Sequence, residues 1–468
     1  MILEAMLLLL PIFVALIYKE NFTNINAFLK TIALILLIFG PFAYKHPKNT
    51  SVYAKEGLIA VSLSWLFLSF FGALPFVFSR QILSLVDAFF ETASGLSTTG
   101  SSILISVESL THSMLFWRSF THFIGGMGVL VLALAIFPET DMGDIQLMKA
   151  EVPGPQFGKI MSKLKSTAQT LYIIYVVMTF VLTLVLIIAG MPVFDSILHA
   201  FGTAGTGGFG IKAASLKFYD SKLISNIISI GMILFGVNFN IYYFILIGKV
   251  KDAFKSEELR IYLSIILIST IMIFINIIPS YDFASTAITD SLFSVSSIMT
   301  TTGFSIADFN TWPLFSKIIL ILLMFIGGSA GSTAGGIKVS RIIILFKSAI
   351  AEIKRILSPN RCVVVRVDNR KLDARTEKSV TNYFLVYAVI FIILLFSISF
   401  FTDDFETAFT SVAATFNNIG PGLGAVGPNG NFAFFNPIAK VILSIGMIAG
   451  RLELYPMILL FSPKVWKK

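Results

Sequence analysis

Long apolar runs separated by short polar segments dominate the chain. Ten runs approach the length of about 20 residues that a helix needs to cross the hydrocarbon core of a bilayer. Four of the gaps between them hold a further apolar segment that is too short to span and that ends in a cluster of Gly, Thr, Ser or Asn. The predicted spans are 2–18, 28–44, 58–78, 114–137, 167–190, 222–248, 258–279, 313–347, 379–400 and 436–461, and the short segments are 85–97, 194–204, 289–300 and 405–417.

Basic residues mark one side of this arrangement. The segments 45–57, 139–166, 248–260, 338–378 and 462–468 hold 25 of the 35 Lys and Arg residues. An even number of predicted spans separates each of them from the next, and Lys and Arg are enriched in cytoplasmic loops. We therefore expect these segments and both termini to be cytoplasmic, and the four short segments to lie on the outer side.

Composition supports a polytopic membrane protein. The chain is 56% hydrophobic and 13% charged, against roughly a quarter charged in soluble proteins. The net charge of +9 is mostly the topology signal just described, so it does not indicate nucleic-acid binding. A single cysteine, Cys362, and four scattered histidines argue against a disulfide, a metal centre or an intramembrane enzyme. The N-terminal run lacks a basic start and a cleavage site, so we expect a retained helix rather than a signal peptide.

The four short segments share an internal design. An acidic residue opens each one, and a glycine follows 13 residues later in the first three and 14 later in the fourth. We expect the acids to cap short helices, where they also suit the positive end of the helix dipole. The acid and glycine pairs are Asp87 and Gly100, Asp195 and Gly208, Asp290 and Gly303, and Glu406 and Gly420.

This repetition predicts the fold class and the domains. We expect an all-α polytopic membrane protein in which four units of helix, short pore helix, polar loop and helix surround a central pore. An N-terminal two-helix hairpin precedes them. The predicted bounds are 1–46 for the hairpin and 55–138, 167–250, 258–350 and 379–463 for the four pore repeats, the third of which has a broken last helix.

The polar loops have the chemistry of a cation filter. Backbone carbonyls can replace the hydration shell of an ion, and glycine permits the backbone conformations that such a loop needs. Non-helical backbone at membrane depth is tolerated only within protein or along a water-filled cavity. Ordinary turns between helices are the alternative for any one loop, but four loops in phase on one side favour the filter.

A second polar segment, Gly327–Lys338, interrupts the last helix of the third repeat. Its five glycines within ten residues break a helix, since each costs about 1 kcal/mol there. Below the filter, such a segment could occlude the pore; close helix packing through small residues is the alternative. Its likeness to a nucleotide-binding P-loop fails, because no strand precedes it and no Ser or Thr follows Lys338 directly.

Two arginines lie inside predicted spans. Arg451 is deep in the last span, where a charge is costly and usually functional. Facing the pore, it would repel cations; a pair with Glu453 or another acid is the alternative. Arg118 lies nearer the outer end of its span, where an acidic partner or a snorkelling side chain explains it.

With these residues in view, the chain resembles the TrkH/KtrB potassium-translocating subunits of the Trk/Ktr/HKT superfamily. The resemblance covers nearly the whole sequence, and the N-terminal hairpin favours the TrkH type. Besides the four loop glycines, it rests on Trp117–Ser119, Gly125–Gly128, Gly327–Lys338, Phe416–Gly422 and Gly450–Glu453.

The resemblance implies K⁺ as the transported ion, with no other cofactor, and it implies particular site residues. The implied K⁺-binding filter comprises Thr98, Thr99, Gly100, Thr206, Gly207, Gly208, Thr301, Thr302, Gly303, Asn418, Ile419 and Gly420. The implied gate comprises Gly327, Gly328, Gly331, Gly335, Gly336, Lys338 and Arg451.

The resemblance also implies surroundings and partners. It implies a homodimer among the lipids of the bacterial plasma membrane, and a cytosolic nucleotide-binding ring of the TrkA type that docks on the cytoplasmic face. The basic segment 338–378 is the candidate contact. We therefore expect gated uptake of K⁺; symport of K⁺ with H⁺ or Na⁺ is the alternative.

Overall fold

The computed structural model describes residues 1–44, 54–128, 164–360 and 363–466. Over these ranges the chain is mostly helical, as the apolar pattern predicts. The helices up to the second pore loop are α1 (Ile2–Leu7), α2 (Leu9–Ile17), α3 (Phe22–Tyr44), α4 (Ala54–Phe78), α5 (Leu85–Leu96), α6 (His112–Gly126), α7 (Leu164–Ile188) and α8 (Val193–Ala204).

The second half of the chain continues in the same way. Its helices are α9 (Lys222–Phe235), α10 (Phe239–Leu246), α11 (Val250–Lys255), α12 (Glu257–Ile277), α13 (Ala284–Met299), α14 (Leu314–Ile326), α15 (Val339–Leu357), α16 (Ala374–Ser399), α17 (Phe405–Phe416), α18 (Pro437–Arg451) and α19 (Tyr455–Leu460). A two-stranded hairpin, β1 (Arg366–Val367) and β2 (Arg370–Lys371), lies between α15 and α16.

Several helices have the length and surface of membrane spans. Five helices within the described residues are long and apolar enough to cross a bilayer, and α9 with α10 forms a sixth, bent candidate. Large apolar side chains are exposed along them, among them Leu37, Ile188 and Phe400. A water-facing surface would not carry so much exposed apolar area, whereas lipid accepts it.

The four predicted short segments are short helices, which we call the pore helices: α5, α8, α13 and α17. Three begin within a residue of the predicted position, and α13 begins five residues earlier, at Ala284. Each is 12 to 16 residues long, which is too short to span.

The expectation that the acids cap the pore helices is wrong in detail. Ser84 and Asp404 are the N-caps of α5 and α17, and their side chains accept backbone N–H groups of the first turn. Asp87, Asp195 and Glu406 lie within the first turn, where the helix dipole still favours an anion.

Asp290 lies further along α13, because that helix starts early. Each acid instead ties its pore helix to a neighbouring element. Their partners are Lys440 for Asp87 at 2.6 Å, the Tyr219 hydroxyl for Asp195 at 2.7 Å, the Tyr281 hydroxyl for Asp290 at 2.8 Å, and Lys317 for Glu406 at 3.5 Å.

The helix after each pore loop is too short to cross a membrane. These helices, α6, α9, α14 and α18, have 15, 14, 13 and 15 residues. At 1.5 Å per residue they reach only about 20 Å. The predicted break in 313–347 is therefore correct, and the spans 222–248 and 436–461, for which no break was predicted, are broken as well. The end of the predicted span 114–137 lies outside the described residues.

The breaks have different forms. The chain turns by 88° between α9 and α10. Between α18 and α19 it passes through Glu453 and Leu454, both with positive φ. The twelve residues 327–338 form the break in the third repeat.

The N-terminal hairpin is joined to the first repeat by a buried cap. The Glu20 carboxylate accepts the Ser113 backbone N–H at 2.9 Å and the Ser113 hydroxyl at 2.5 Å. Ser113 lies in the first turn of α6, whose free N–H groups need such an acceptor. The hairpin is therefore positioned by the start of the helix that follows the first pore loop.

Candidate ion pathway

The four pore loops have the same backbone conformation. In each, the second residue after the pore helix and the glycine two residues beyond it have positive φ. The pairs are Thr98 and Gly100 (56° and 83°), Thr206 and Gly208 (53° and 74°), Thr301 and Gly303 (56° and 87°), and Asn418 and Gly420 (58° and 103°). Because such angles are rare away from glycine, their fourfold recurrence identifies four copies of one loop.

Each loop is bound to the end of its own pore helix in the same way. The residue before the glycine donates its N–H to a carbonyl five residues earlier, at 2.8 Å in all four loops. The four bonds run from Thr99 to Ser94, from Gly207 to Gly202, from Thr302 to Ser297 and from Ile419 to Ala414. These N–H groups are bonded to carbonyls of the pore helices. The loop carbonyls are therefore available on the opposite side of each loop.

The four loops lie against one another in a closed ring, in chain order. A Cβ added to Gly100 would overlap the Gly207 carbonyl oxygen, and one added to Gly208 would overlap that of Thr302. Likewise, Gly303 abuts the Ile419 carbonyl, and a Cβ on Gly420 would lie 2.9 Å from the Thr99 carbonyl oxygen. Every glycine thus lies against the carbonyl of the residue that precedes the glycine of the next loop.

Side chains strengthen the contact between the fourth and first loops. The Asn418 amide donates to the Thr99 hydroxyl at 2.9 Å, and the Ser101 hydroxyl donates to the Gly420 carbonyl at 2.9 Å. Both interactions use residues that break the fourfold pattern. The asymmetry of the sequence therefore has a local role in closing the ring.

His122 braces the first and second loops and was missed by sequence reasoning. Its Nδ1 lies 2.8 Å from the Gly95 carbonyl, and the Phe209 N–H donates to its Nε2 at 3.2 Å. Since Nε2 accepts, Nδ1 carries the proton and the imidazole is neutral. The ring also lies directly against Gly207, where a side chain would collide with it. The available signal was a histidine within an apolar span.

Arg118 and Glu91 form a buried ion pair behind the same two loops. The Arg118 Nε donates to Glu91 at 2.6 Å, and the two side chains are only 3% and 0% exposed. The expected acidic partner therefore exists, and the snorkelling alternative is wrong. The guanidinium also donates to the Gly210 carbonyl at 2.8 Å and lies 3.5 Å from the Phe209 ring centre.

Glu91 extends this network along the exit of the first loop. Its carboxylate accepts the Ser102 hydroxyl at 2.9 Å and the Ile103 N–H at 3.0 Å. The ion pair thus fixes the segments that leave loops one and two. Pairing between distant residues of this kind carries no signal in a single sequence.

The segment 327–338, which we call the occluding segment, lies against the ring. The Gly335 N–H donates to the Thr301 hydroxyl at 2.6 Å, and a Cβ on Gly335 would lie 3.0 Å from Cβ of Asn418. The segment therefore touches the third and fourth loops. Glycine is required at position 335 because the Asn417 carbonyl occupies the space of a side chain.

The occluding segment also pairs with the broken helix of the second repeat. The Ser329 N–H donates to the Gly236 carbonyl at 3.0 Å, and the Phe239 N–H donates to the Gly331 carbonyl at 3.0 Å. Each of the two breaks thereby satisfies backbone groups of the other, as buried polar groups require.

Within the occluding segment, the predicted glycines permit a tight fold. Gly327, Gly331 and Gly336 have φ of 74°, 67° and 77°, and a Cβ on Gly328 would lie 2.6 Å from Cβ of Ala334. Lys338 is buried and donates from Nζ to the Ala334 carbonyl, so it stabilises the segment from within.

Arg451 joins the occluding segment to the first repeat. Its guanidinium donates to the carbonyls of Thr333, Gly125 and Gly126, each at 2.6 Å, and it is 7% exposed. Glu453, which the sequence offered as an alternative partner for Arg451, forms an ion pair with Arg341. With Arg451 included, the occluding segment contacts all four repeats.

The arrangement offers the oxygen ligands that hard cations prefer rather than those of a transition-metal site. No group of three or more His, Cys, Asp or Glu side chains with metal-binding geometry occurs among the described residues. The ring offers backbone carbonyl and hydroxyl oxygens, which are the ligands of alkali cations in selectivity filters.

A family model, curated relatives and a solved structure all point to the same protein family. Residues 23–468 match the family model TrkH, described as a cation transport protein. The Trk system potassium uptake proteins TrkH of Salmonella typhimurium and Escherichia coli K12 are 40% and 39% identical, with 98% of this chain and 96% of each relative covered. The crystal structure of the potassium transporter TrkH from Vibrio parahaemolyticus has a TM-score of 0.89 at 31% identity, covering 100% of this chain and 97% of that one.

The buried ion pair leads to a stability prediction. Glu91→Gln keeps the shape of the side chain but leaves the Arg118 charge buried without its anion, which costs about 3–5 kcal/mol. We expect a clear drop in the thermal unfolding midpoint of the purified protein. Glu406→Gln is the matched control, since the Lys317–Glu406 pair is partly exposed and such pairs contribute about 0–1 kcal/mol. Equal shifts in the two variants would contradict the assignment.

Proposed function

The chain belongs to the TrkH family of cation transport proteins, and from this premise we propose that it mediates uptake of K⁺ across the bacterial plasma membrane. As a member of this family it is a membrane transporter and not an enzyme. The observation that carries the proposal is the ring of four pore loops, each with its glycine against the carbonyl of the next. Relatives of the chain are named potassium uptake proteins.

The ring is the selectivity filter. Its K⁺ ligands are the loop carbonyls of the three positions that end at each glycine, which are the twelve residues expected from the sequence. Carbonyl dipoles held by bonds to the pore helices replace the water shell of the ion. The C-terminal ends of the four pore helices carry partial negative charge toward the same place, which favours a cation.

The occluding segment and Arg451 are the gate. The segment lies against the third and fourth loops, and Arg451 binds it to the end of α6 through Thr333, Gly125 and Gly126. A guanidinium beside the pathway also opposes the passage of cations. Conduction therefore requires that the segment leave its contacts with Arg451 and with the filter.

The membrane potential drives uptake. With the pore loops on the outer side and the basic segments in the cytoplasm, an inside-negative potential favours K⁺ entry by about 2.3 kcal/mol per charge per 100 mV. Coupling to a second ion is then unnecessary. Both termini are cytoplasmic in this orientation.

A cytosolic partner controls the gate. Exposed basic side chains gather at the hairpin between α15 and α16, among them Arg366, Arg370 and Lys371. They form a surface for a nucleotide-binding ring of the TrkA type. The chain forms a homodimer with one pathway in each subunit.

Ion flux tests the proposal directly. We expect vesicles that contain the purified full-length chain, its regulatory partner and nucleotide to take up Rb⁺ or K⁺ down an imposed potential. Absence of permeation under these conditions would overturn the proposal. A reversal potential that follows H⁺ or Na⁺ as well as K⁺ would replace it with symport.

The filter assignment predicts a change in selectivity. Gly303→Ser places a side chain against the Ile419 carbonyl at φ 87°, and overpacking of this kind costs about 1–3 kcal/mol. We expect the K⁺/Na⁺ permeability ratio to fall by about tenfold or more, because a 1.4 kcal/mol change in binding is a factor of ten.

The matched control for this change is Gly190→Ser. Gly190 also has positive φ, 95°, but nothing lies within 4 Å of its Cβ position. It therefore reproduces the backbone strain without the collision in the ring. An unchanged permeability ratio in the Gly303 variant would remove this loop from the filter.

The proposed gate predicts that a variant without Arg451 leaks ions in the absence of the partner. Arg451→Ala removes three charge-assisted hydrogen bonds, each worth about 1.5–3 kcal/mol, from the occluded state. We expect basal Rb⁺ flux without partner to rise at least about tenfold. Arg355→Ala, which alters an exposed arginine paired with Glu352, controls for loss of charge. Unaltered flux would favour a packing role for the segment.

A further inference from the structure

Two adjacent glutamates at the start of α12 have contacts in different directions. Glu257 and Glu258 occupy the first turn of this helix, after the N-cap Ser256. Successive helical side chains point about 100° apart, so the pair faces two neighbours at once. Neither residue belongs to the filter or to the gate residues already named.

Glu258 binds the occluding segment. Its carboxylate accepts the Ala330 backbone N–H at 2.7 Å. The Asn238 side chain and the Ser340 backbone amide lie beside the same carboxylate. Asn238 in turn lies against Gly331, 3.1 Å from its Cβ position. One carboxylate thus holds the occluding segment, the helix break of the second repeat and the start of α15.

Glu257 binds the cytoplasmic hairpin. Its backbone N–H donates to the Asp368 carboxylate at 2.7 Å, and its own carboxylate accepts the Asp368 N–H at 3.3 Å. Lys347 of α15 forms an ion pair with Glu257 at 2.5 Å and donates to the Arg366 carbonyl at 2.7 Å. These bonds are reciprocal, so movement of the hairpin acts on the start of α12.

The hairpin is rigid enough to transmit such movement. Its two turn residues, Asp368 and Asn369, have φ of 49° and 60°, the conformation of a tight two-residue turn. Val365, Val367 and Leu372 form a small apolar core with residues of α15 and α16. The hairpin therefore moves with these helices rather than as a loose loop.

We propose that Glu258 is a positioning residue for the occluding segment and that Glu257 couples it to the hairpin. The two form a latch: displacement of the hairpin shifts the first turn of α12, and the bond from Ala330 to Glu258 is lost. This inference rests on the proposed gating role of the segment. It assigns the route by which an event at the cytoplasmic surface reaches the gate.

Rb⁺ flux tests the first half of the latch. In vesicles with the purified full-length chain and no partner, we expect Glu258→Ala to raise basal flux about tenfold, as for loss of a hydrogen bond to a charged group. Glu258→Gln keeps an acceptor oxygen and should restore much of the occlusion. Glu352→Ala, an exposed acid of α15, is the control and should not alter flux.

Hydrogen exchange tests the coupling. In the full-length protein, Glu257→Ala should speed amide exchange both in the hairpin and in residues 328–336, which Glu257 does not touch. Exchange along α16 should stay slow, which checks that the variant is folded. Faster exchange confined to the hairpin would overturn the coupling.

The gating role of the occluding segment and the latch of Glu257 and Glu258 can be contradicted independently. If Arg451→Ala raises flux and Glu258→Ala does not, the latch is wrong and the gate stands. If neither variant raises flux, the gating role is wrong. The exchange experiment then still decides whether α12 links the hairpin to the segment.

Discussion

The structure depends on one constraint: backbone that leaves the helical conformation inside a membrane must find its hydrogen-bond partners within the protein. Four loops do so here by bonding back to the ends of four pore helices, with the same 2.8 Å bond in each. These bonds use N–H groups of the loops and leave the loop carbonyls available. It also brings the loops so close that only glycine fits where each meets the next. The chemistry of the proposed filter thus follows from the way the loops satisfy their own hydrogen bonds.

The symmetry of the ring is limited to the backbone. Behind it, two of the junctions between loops have braces of their own. His122 and the Arg118–Glu91 pair hold the junction of the first and second loops, whereas Asn418 and Ser101 hold that of the fourth and first. These braces are hydrogen bonds and an ion pair between buried polar groups, so they fix geometry where apolar packing would allow sliding. A ring built from four unlike loops of one chain needs such specific contacts, because sequence symmetry does not align the loops.

Sequence reasoning succeeded where a feature depends on local composition. Apolar length predicted the five helices in the described part of the chain that are long enough to span, the spacing from acid to glycine predicted the short helices and their loops, and the five glycines predicted the break at 327–338. It failed where structure depends on distant contacts. The bend at Gly236 and the break after Arg451 interrupt runs that are apolar enough overall to be predicted as single spans. The acids lost their expected capping role to Ser84 and Asp404, and they bond to neighbouring elements that only the fold brings near.

The pairing of two broken helices holds the occluding segment in place. Ser329 and Phe239 exchange bonds with Gly236 and Gly331 across the two breaks. Moving the segment would orphan four backbone groups, each costly to leave unsatisfied in a dry interior. Water at this position would satisfy the same groups and remove that cost. Under the proposed gating role, hydration of the ion pathway would therefore also stabilise the displaced segment. Gating and wetting would then be coupled, and the charged contacts from Arg451 and Glu258 would oppose both.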